Sequence, residues 1–362
     1  MPALQGVFKR LLYPAALLCL AACGSEHITS CEPFGAVTPI CGVKAPEDIE
    51  PLPKNGGLIV AEYGDDGKHT GDLLWYQPGS DEGFITLVSD DEVAPGAGDV
   101  LWGEAGCPVP RQLSPHGIHL SRRNKSLQLL VVNHASPDAV LMYEVLKSPE
   151  PGKPPALEWR GCVSFPGEAA LNDVTALPGG GFAVTHMYPR QNQIIGLIKV
   201  SLGLTEGHVW LWSPEQGLRV LPDSGAKIPN GIQAAADGQS LWVNHSADNG
   251  LRQYALPGGE ILQTVPVPNL DNSSWLPDGR LLVASFDSML GLAGCFGAAE
   301  GSCGAPYSLV AVDPATGDTE TLFHSSDGEP FGPATIAVAY RGKLYAGSFT
   351  GDRMAVIDID LD

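Results

Sequence analysis

Positive charge is scarce in this sequence. Its 362 residues hold 21 Lys and Arg against 41 Asp and Glu, a formal net charge of −20. So acidic a chain is repelled by a phosphate backbone, which excludes nucleic acid as a partner. Long apolar runs are missing too, apart from Leu11 to Ala22, and a run of about a dozen residues is too short to span a bilayer core of roughly 30 Å as a helix. No two cysteines stand in C-x-x-C spacing, which weighs against a zinc site. Strong helical periodicity is hard to find anywhere in the chain.

What is there begins with a targeting segment. Lys9 and Arg10 precede the apolar run, which ends in the small residues Ala21 and Ala22, so residues 1–22 read as a signal peptide. Leu20-Ala21-Ala22-Cys23 resembles the bacterial lipobox, in which cleavage leaves a diacylated cysteine at the new N-terminus. Cys23 is then the lipid anchor, the partner is a membrane, and the protein is exported to the bacterial cell envelope, on either side of the outer membrane. The alternative is an ordinary secretory signal cut nearby. Residues 23–44 lack clear periodicity and are expected to form a tether, with one folded unit over 45–362. In an oxidising compartment Cys31, Cys41, Cys107, Cys162, Cys295 and Cys303 are expected to form disulfides. Sequence leaves the connectivity open; the expected pairs are Cys31 with Cys41 and Cys295 with Cys303, leaving Cys107 for Cys162.

One phrase is written six times. It appears as PEDIEPLPKNGGLIVAE from Pro46, PHGIHLSRRNKSLQLLVVNH from Pro115 and LNDVTALPGGGFAVTH from Leu171. It returns as PNGIQAAADGQSLWVNH from Pro229, LDNSSWLPDGRLLVASF from Leu270 and GPATIAVAYRGKLYAGSF from Gly332. Each copy is a short apolar strand, a turn and a second strand rich in Val, Leu, Phe or Trp. Further strand signals lie between copies: GDLLWYQPG, AVLMYEVL, IIGLIKVSL, LRQYALPGG and YSLVAVDPATGD. Units of about 40 to 70 residues repeated six times predict an all-β, six-bladed β-propeller whose closure removes exposed sheet edges. A β-sandwich or a seven-bladed ring with one degenerate blade is the competing architecture. Ring closure is expected to pair a strand from one terminus with the blade built from the other.

In a propeller the innermost strands line a central tunnel, so residues in equivalent register converge on its axis. The second position of each phrase is Glu47, His116, Asn172, Asn230, then Asp271 with Asn272, and Thr335. A polar side chain recurs there in otherwise apolar repeats, and buried polar groups need partners. Two carboxylates and three amide oxygens are hard ligands, which points to calcium, an ion that takes six to eight oxygens. Asp48 and Asp173 each follow a ring position and, with the backbone oxygen of Ile118, are expected to hold a second, structural calcium. A plug of hydrogen-bonded polar side chains at the hub is the competing explanation.

The motifs PEDIEPLP, SPHGIHL, LLVVNH, LNDVTALP, PNGI, LDNSS and YRGKLYAGSF, in this order, resemble the paraoxonase/arylesterase family of calcium-dependent lactonases. The resemblance runs from about Cys41 to the C-terminus. It implies that Glu47, Asn172, Asn230, Asp271 and Asn272 bind a catalytic calcium, and that Asp48, Asp173 and Ile118 bind a structural one. It also implies that His116 and His134 form a histidine dyad that activates water. His186 and His245 end second strands as His134 does, so blade geometry alone is another source for that residue. The chain departs from mammalian relatives in having no cysteine after Cys303 and a lipobox in place of a retained hydrophobic helix.

The implied chemistry is hydrolysis of a lactone or ester whose carbonyl is polarised by calcium, with weaker action on aryl esters and phosphotriesters. Loops Asp90 to Leu113 and Asp287 to Pro306 are expected over the tunnel mouth, where Met289, Leu290, Leu292 and Phe296 would either meet an apolar substrate group or pack the loop down. Two other functions remain in view. One is a sugar lactonase or organophosphatase of the related gluconolactonase and regucalcin group, against which His116 and His134 weigh; the other is a non-catalytic binding propeller.

Overall fold

Each repeated phrase folds as an antiparallel hairpin, its first strand at one edge of a sheet and its second strand beside it. The computed structural model describes residues 27–361 except 66, 97–100, 149, 168, 190–201 and 360. Two further strands complete each sheet, giving six four-stranded blades of a β-propeller. The inner strands are Pro46–Pro51, Pro115–Arg123, Ala169–Ala176, Pro229–Ala234, Leu270–Trp275 and Ile336–Tyr340. Each touches the inner strands of both neighbouring blades, and the sixth touches the first, so together they enclose a tunnel.

The second strands are nearly unbroken apolar runs because a blade is buried on both faces. In Ser126–Asn133 of blade 2, Leu129 and Val131 pack with Ile59, Ala61 and Trp75 of blade 1. Leu130 and Val132 point the other way and pack with Leu171, Val174 and Phe182 of blade 3. Burying such a side chain is worth roughly 1.5–3 kcal/mol, and comparable clusters fill the other gaps. Because neighbouring blades share their cores, a blade is not a stable unit by itself.

The ring closes with a borrowed strand. Val37–Cys41 pairs antiparallel with Arg353–Ile357 and becomes the outer strand of blade 6. This corrects the expected tether over 23–44. In its described part, His27–Ile28 pairs with Ser302–Cys303 and Val37–Cys41 belongs to the propeller, which therefore begins before residue 45. A terminal strand closing the ring was expected; its position was not, because the segment is short and centred on Pro39, a residue at home in a sheet only at an edge or bulge. The signal segment 1–22 and Cys23 lie outside the described residues. Disulfides join Cys31 to Cys41, Cys107 to Cys162 and Cys295 to Cys303, the expected pairs.

Other expectations need adjusting. All but the last residue of IIGLIKVSL lies outside the described residues, and the third strand of blade 3 is His208–Ser213. The loop after blade 1 does not arch over the tunnel where it is described. It runs beside the outer strand of blade 2, with Trp159 N donating to Pro95 O at 2.9 Å, Trp102 N to Arg160 O at 2.7 Å and Glu104 N to Cys162 O at 2.9 Å. The loop Asp287 to Pro306 rests on blade 6, where Thr350 Oγ1 donates to the carbonyls of Cys295 and Ala298. Its Leu292 is packed down, whereas Met289, Leu290 and Phe296 stay exposed.

Candidate active site at the tunnel hub

Five of the six inner strands break register at the same point. The shifts fall between Pro46 and Asp48, Pro115 and Ile118, Leu171 and Val174, Pro229 and Ile232, and Leu270 and Ser273. A β-bulge sets two residues against one and re-aims the side chains it carries. The residues inside these bulges include Glu47, His116, Asn172, Asn230, Asp271 and Asn272. Gly117 and Gly231 let the next blade come close: a Cβ on Gly117 would lie 2.6 Å from the Asn172 carbonyl oxygen, and one on Gly231 2.7 Å from Asn272 Cα.

All the ring residues are buried, and contacts link them. Asn272 Nδ2 donates to Glu47 Oε1 at 2.7 Å, and Thr335 Oγ1 donates to the Glu47 carbonyl at 2.7 Å. His116 Nε2 lies 3.7 Å from Glu47 Oε1 and 3.4 Å from Asn172 Nδ2. The Asn230 side chain hydrogen-bonds Asp271. Glu47 Oε2, Asn172 Oδ1, Asn230 Oδ1 and Asn272 Oδ1 are buried oxygens with no hydrogen-bond partner in the protein. One such orphan costs about 1–3 kcal/mol, so four at one hub call for a partner from outside the chain, whether water, an ion or a ligand.

The charges agree. Burial, and then the charges of Asp48, Asp271 and Asp173, raise Glu47 well above the usual carboxylate range. Burial pushes Asp271 up to about 7. Burial likewise lifts Asp48 to about 8, against the opposing hydrogen bond from Ile118, and raises Asp173 together with the charge of Asp48. No lysine or arginine among the described residues forms an ion pair with any of the four. Carboxylates buried together without an organic cation suit a metal ion. Among the described residues no three His, Cys, Asp or Glu gather at metal-binding range, so any such site here depends on the three asparagine oxygens.

Asp48, Asp173 and Ile118 are brought together farther along the tunnel, where they line a cavity of about 200 Å³ with Glu50, His119 and Gln233. Asp48 accepts from Ile49 N at 2.8 Å and Ile118 N at 2.6 Å. Asp173 accepts from Val174 N at 2.7 Å and Ile232 N at 2.9 Å. Each carboxylate therefore ties its own blade to the next. Each oxygen receives one N–H and keeps a second lone pair free for a cation.

Pairing of Pro115 with Asn133 sets the next residue, His134, beside His116. His116 Nδ1 lies 2.8 Å from His134 Nε2, and His134 Nδ1 lies 3.0 Å from Asp138 Oδ1. The ring of Tyr63 is centred 4.5 Å from that of His116. His186 stacks on His208 instead, and His245 bonds the hydroxyl of Tyr254. Similar strand ends thus lead to different surroundings. Asp138 and Tyr63 were missed in the sequence because both follow second strands, where polar residues read as turns.

The chain is thus a six-bladed β-propeller with a buried, oxygen-lined hub. The family model described as arylesterase matches residues 80–350, and the chain belongs to that family. A search of curated proteins finds no match. Among solved structures, a putative gluconolactonase superposes with a TM-score of 0.52 at 15% identity, covering 91% of this chain and 97% of its own. A luciferin-regenerating enzyme gives 0.52 at 12%, covering 90% and 96%. Regucalcin from Agrobacterium tumefaciens strain C58 gives 0.50 at 11%, covering 88% and 91%. At such identities the likeness concerns the fold.

Proposed function

We propose that the protein is a calcium-dependent lactonase that also hydrolyses aryl esters and phosphotriesters more weakly. The observation that carries this is the set of four unpartnered oxygens on Glu47, Asn172, Asn230 and Asn272, gathered near the Asp271 carboxylate in a family of esterases. Glu47, Asn172, Asn230, Asp271 and Asn272 would hold the catalytic calcium; Asp48, Asp173 and the backbone oxygen of Ile118 would hold a structural one. When bound, the catalytic ion supplies a Lewis acid for the ester carbonyl. His116 Nε2, beside Glu47 and Asn172, takes a proton from the attacking water, and His134 receives the proton that His116 sheds from Nδ1. The buried walls exclude bulk water, which strengthens each of these contacts.

The purified protein is expected to hydrolyse γ- and δ-lactones, to lose that activity in excess chelator and to regain it with added calcium. Lactone hydrolysis indifferent to chelator would sink the proposal. Calcium-loaded protein that turns over no lactone, sugar lactone or phenyl acetate would leave a binding propeller instead.

The same proposal covers location. Cys23, in its lipobox context, is the lipidated residue of an envelope lipoprotein, and it stands four residues before His27, which pairs with Cys303 in the loop between the second and third strands of blade 5. That loop lies at the end of the tunnel that carries the ring, so a lipid on Cys23 turns this end toward a bilayer. Cys23→Ser is expected to move the protein from the membrane fraction to the soluble one and to abolish labelling with radioactive palmitate. Membrane retention with unchanged labelling would refute the anchor.

A further inference from the structure

Behind the ring stands a row of three buried groups, His116, His134 and Asp138, exposed to 4%, 2% and 1%. We infer that Asp138 is a positioning residue whose carboxylate fixes the proton on His134 Nδ1 and, through it, the tautomer of His116, so that His116 Nε2 faces the ring as an acceptor. Its kinetic consequence rests on the lactonase function proposed above; the hydrogen-bond chain does not.

Two ends of the chain force the same assignment. His134 Nδ1 lies 3.0 Å from Asp138 Oδ1, a contact in which the ring nitrogen donates and the carboxylate oxygen accepts. A neutral imidazole has one N–H, so His134 Nε2 accepts and His116 Nδ1, 2.8 Å away, donates. In that tautomer His116 Nε2 is the acceptor nitrogen. From the other end, Asn172 Nδ2 lies 3.5 Å from Met187 Sδ and 3.4 Å from His116 Nε2. A thioether only accepts, which identifies this Asn172 atom as the amide nitrogen. His116 Nε2, facing a donor, is again the acceptor. The same orientation leaves Asn172 Oδ1 among the unpartnered oxygens of the hub.

Asp138 therefore gives the dyad a direction. As water attacks the ester carbonyl, a carbon–oxygen bond forms, an O–H bond of the water breaks, and that proton goes to His116 Nε2. The Nδ1 proton of His116 passes to His134 Nε2, so the positive charge comes to rest beside Asp138 and away from the ring. When the ester C–O bond breaks, a proton returns along the same path to the leaving alkoxide, and no co-reactant is consumed. A carboxylate that orients an imidazole and stabilises its charged form is a recurring device for general bases.

The test uses the mature, calcium-loaded protein. A strongly low-field proton from the His134 Nδ1–H to Asp138 bond is expected in the ¹H NMR spectrum of the wild type and should vanish in Asp138→Asn. In that variant kcat for a δ-lactone is expected to fall about 100-fold, with KM within about twofold and the calcium-induced rise in Tm intact. Asp138→Glu should restore part of kcat. Asp138→Asn with wild-type kcat overturns the inference, as does a wild type without the low-field proton. Should the variant fail to fold, the wild-type spectrum still decides. A wild type with the low-field proton but no hydrolysis of lactones or esters leaves the positioning role standing and removes the lactonase function.

Discussion

Asp271→Asn is expected to melt above the wild type in excess chelator and below it in calcium. Without metal, the Asp271 carboxyl is buried and adds to the repulsion felt by Glu47 and Asp48. An amide of the same shape removes that charge from the tunnel, so the metal-free fold gains. With calcium the balance reverses. Outer-shell partners of a metal already cost 10–100-fold when lost, so a direct carboxylate ligand should cost at least about 100-fold in affinity. At saturating calcium that is about 2.7 kcal/mol, a drop in Tm on the order of 5 °C for a domain of this size. Lactone turnover at limiting calcium should fall by a similar factor of at least ~100. Melting curves of both proteins with and without calcium check the crossover. The same order of stability in both conditions, or full activity, would contradict a metal at the hub.

The other large effect concerns ring closure. A chain lacking residues 27–41 is expected to yield no soluble monomer. Deletion strips the outer strand from Arg353–Ile357 and uncovers Leu344, Ala355 and Ile357, with which Val37 is clustered. An unpaired strand above an apolar face is a template for aggregation. Val37→Asp, which keeps the strand but buries a charge, should cost about 3 kcal/mol or more, readable as a lower urea midpoint. A soluble monomer with unchanged Tm after the deletion would mean that the closing strand is dispensable.

Most of the architecture was legible because it is repeated. Six similar phrases carry six hairpins, and equal register within them brought Glu47, Asn172, Asn230, Asp271 and Asn272 to attention although they come from four different blades. What escaped was whatever occurs once. That a terminal strand closes the ring was expected, but not where it lies: it is five residues around Pro39, and no other segment repeats its pattern. The bulges that aim the ring residues are shifts of pairing, visible only when both strands are in place. Asp138 follows a cis Ser136–Pro137 bond in a short connection, and nothing in its neighbours hints that a histidine waits there. The path of the loop after blade 1 depends on backbone groups of blade 2, which carry no side-chain signature.

Val37 meets Ile357, nearly the whole chain apart in sequence. While the polypeptide is being made, its opening segment must therefore wait for its closing one. Until then blades 1 and 5 lack the neighbour whose core they share, and Thr335 is not yet there to brace the Glu47 backbone. Synthesis halted a few dozen residues early would leave the ring of inner strands open on both sides of the missing sixth.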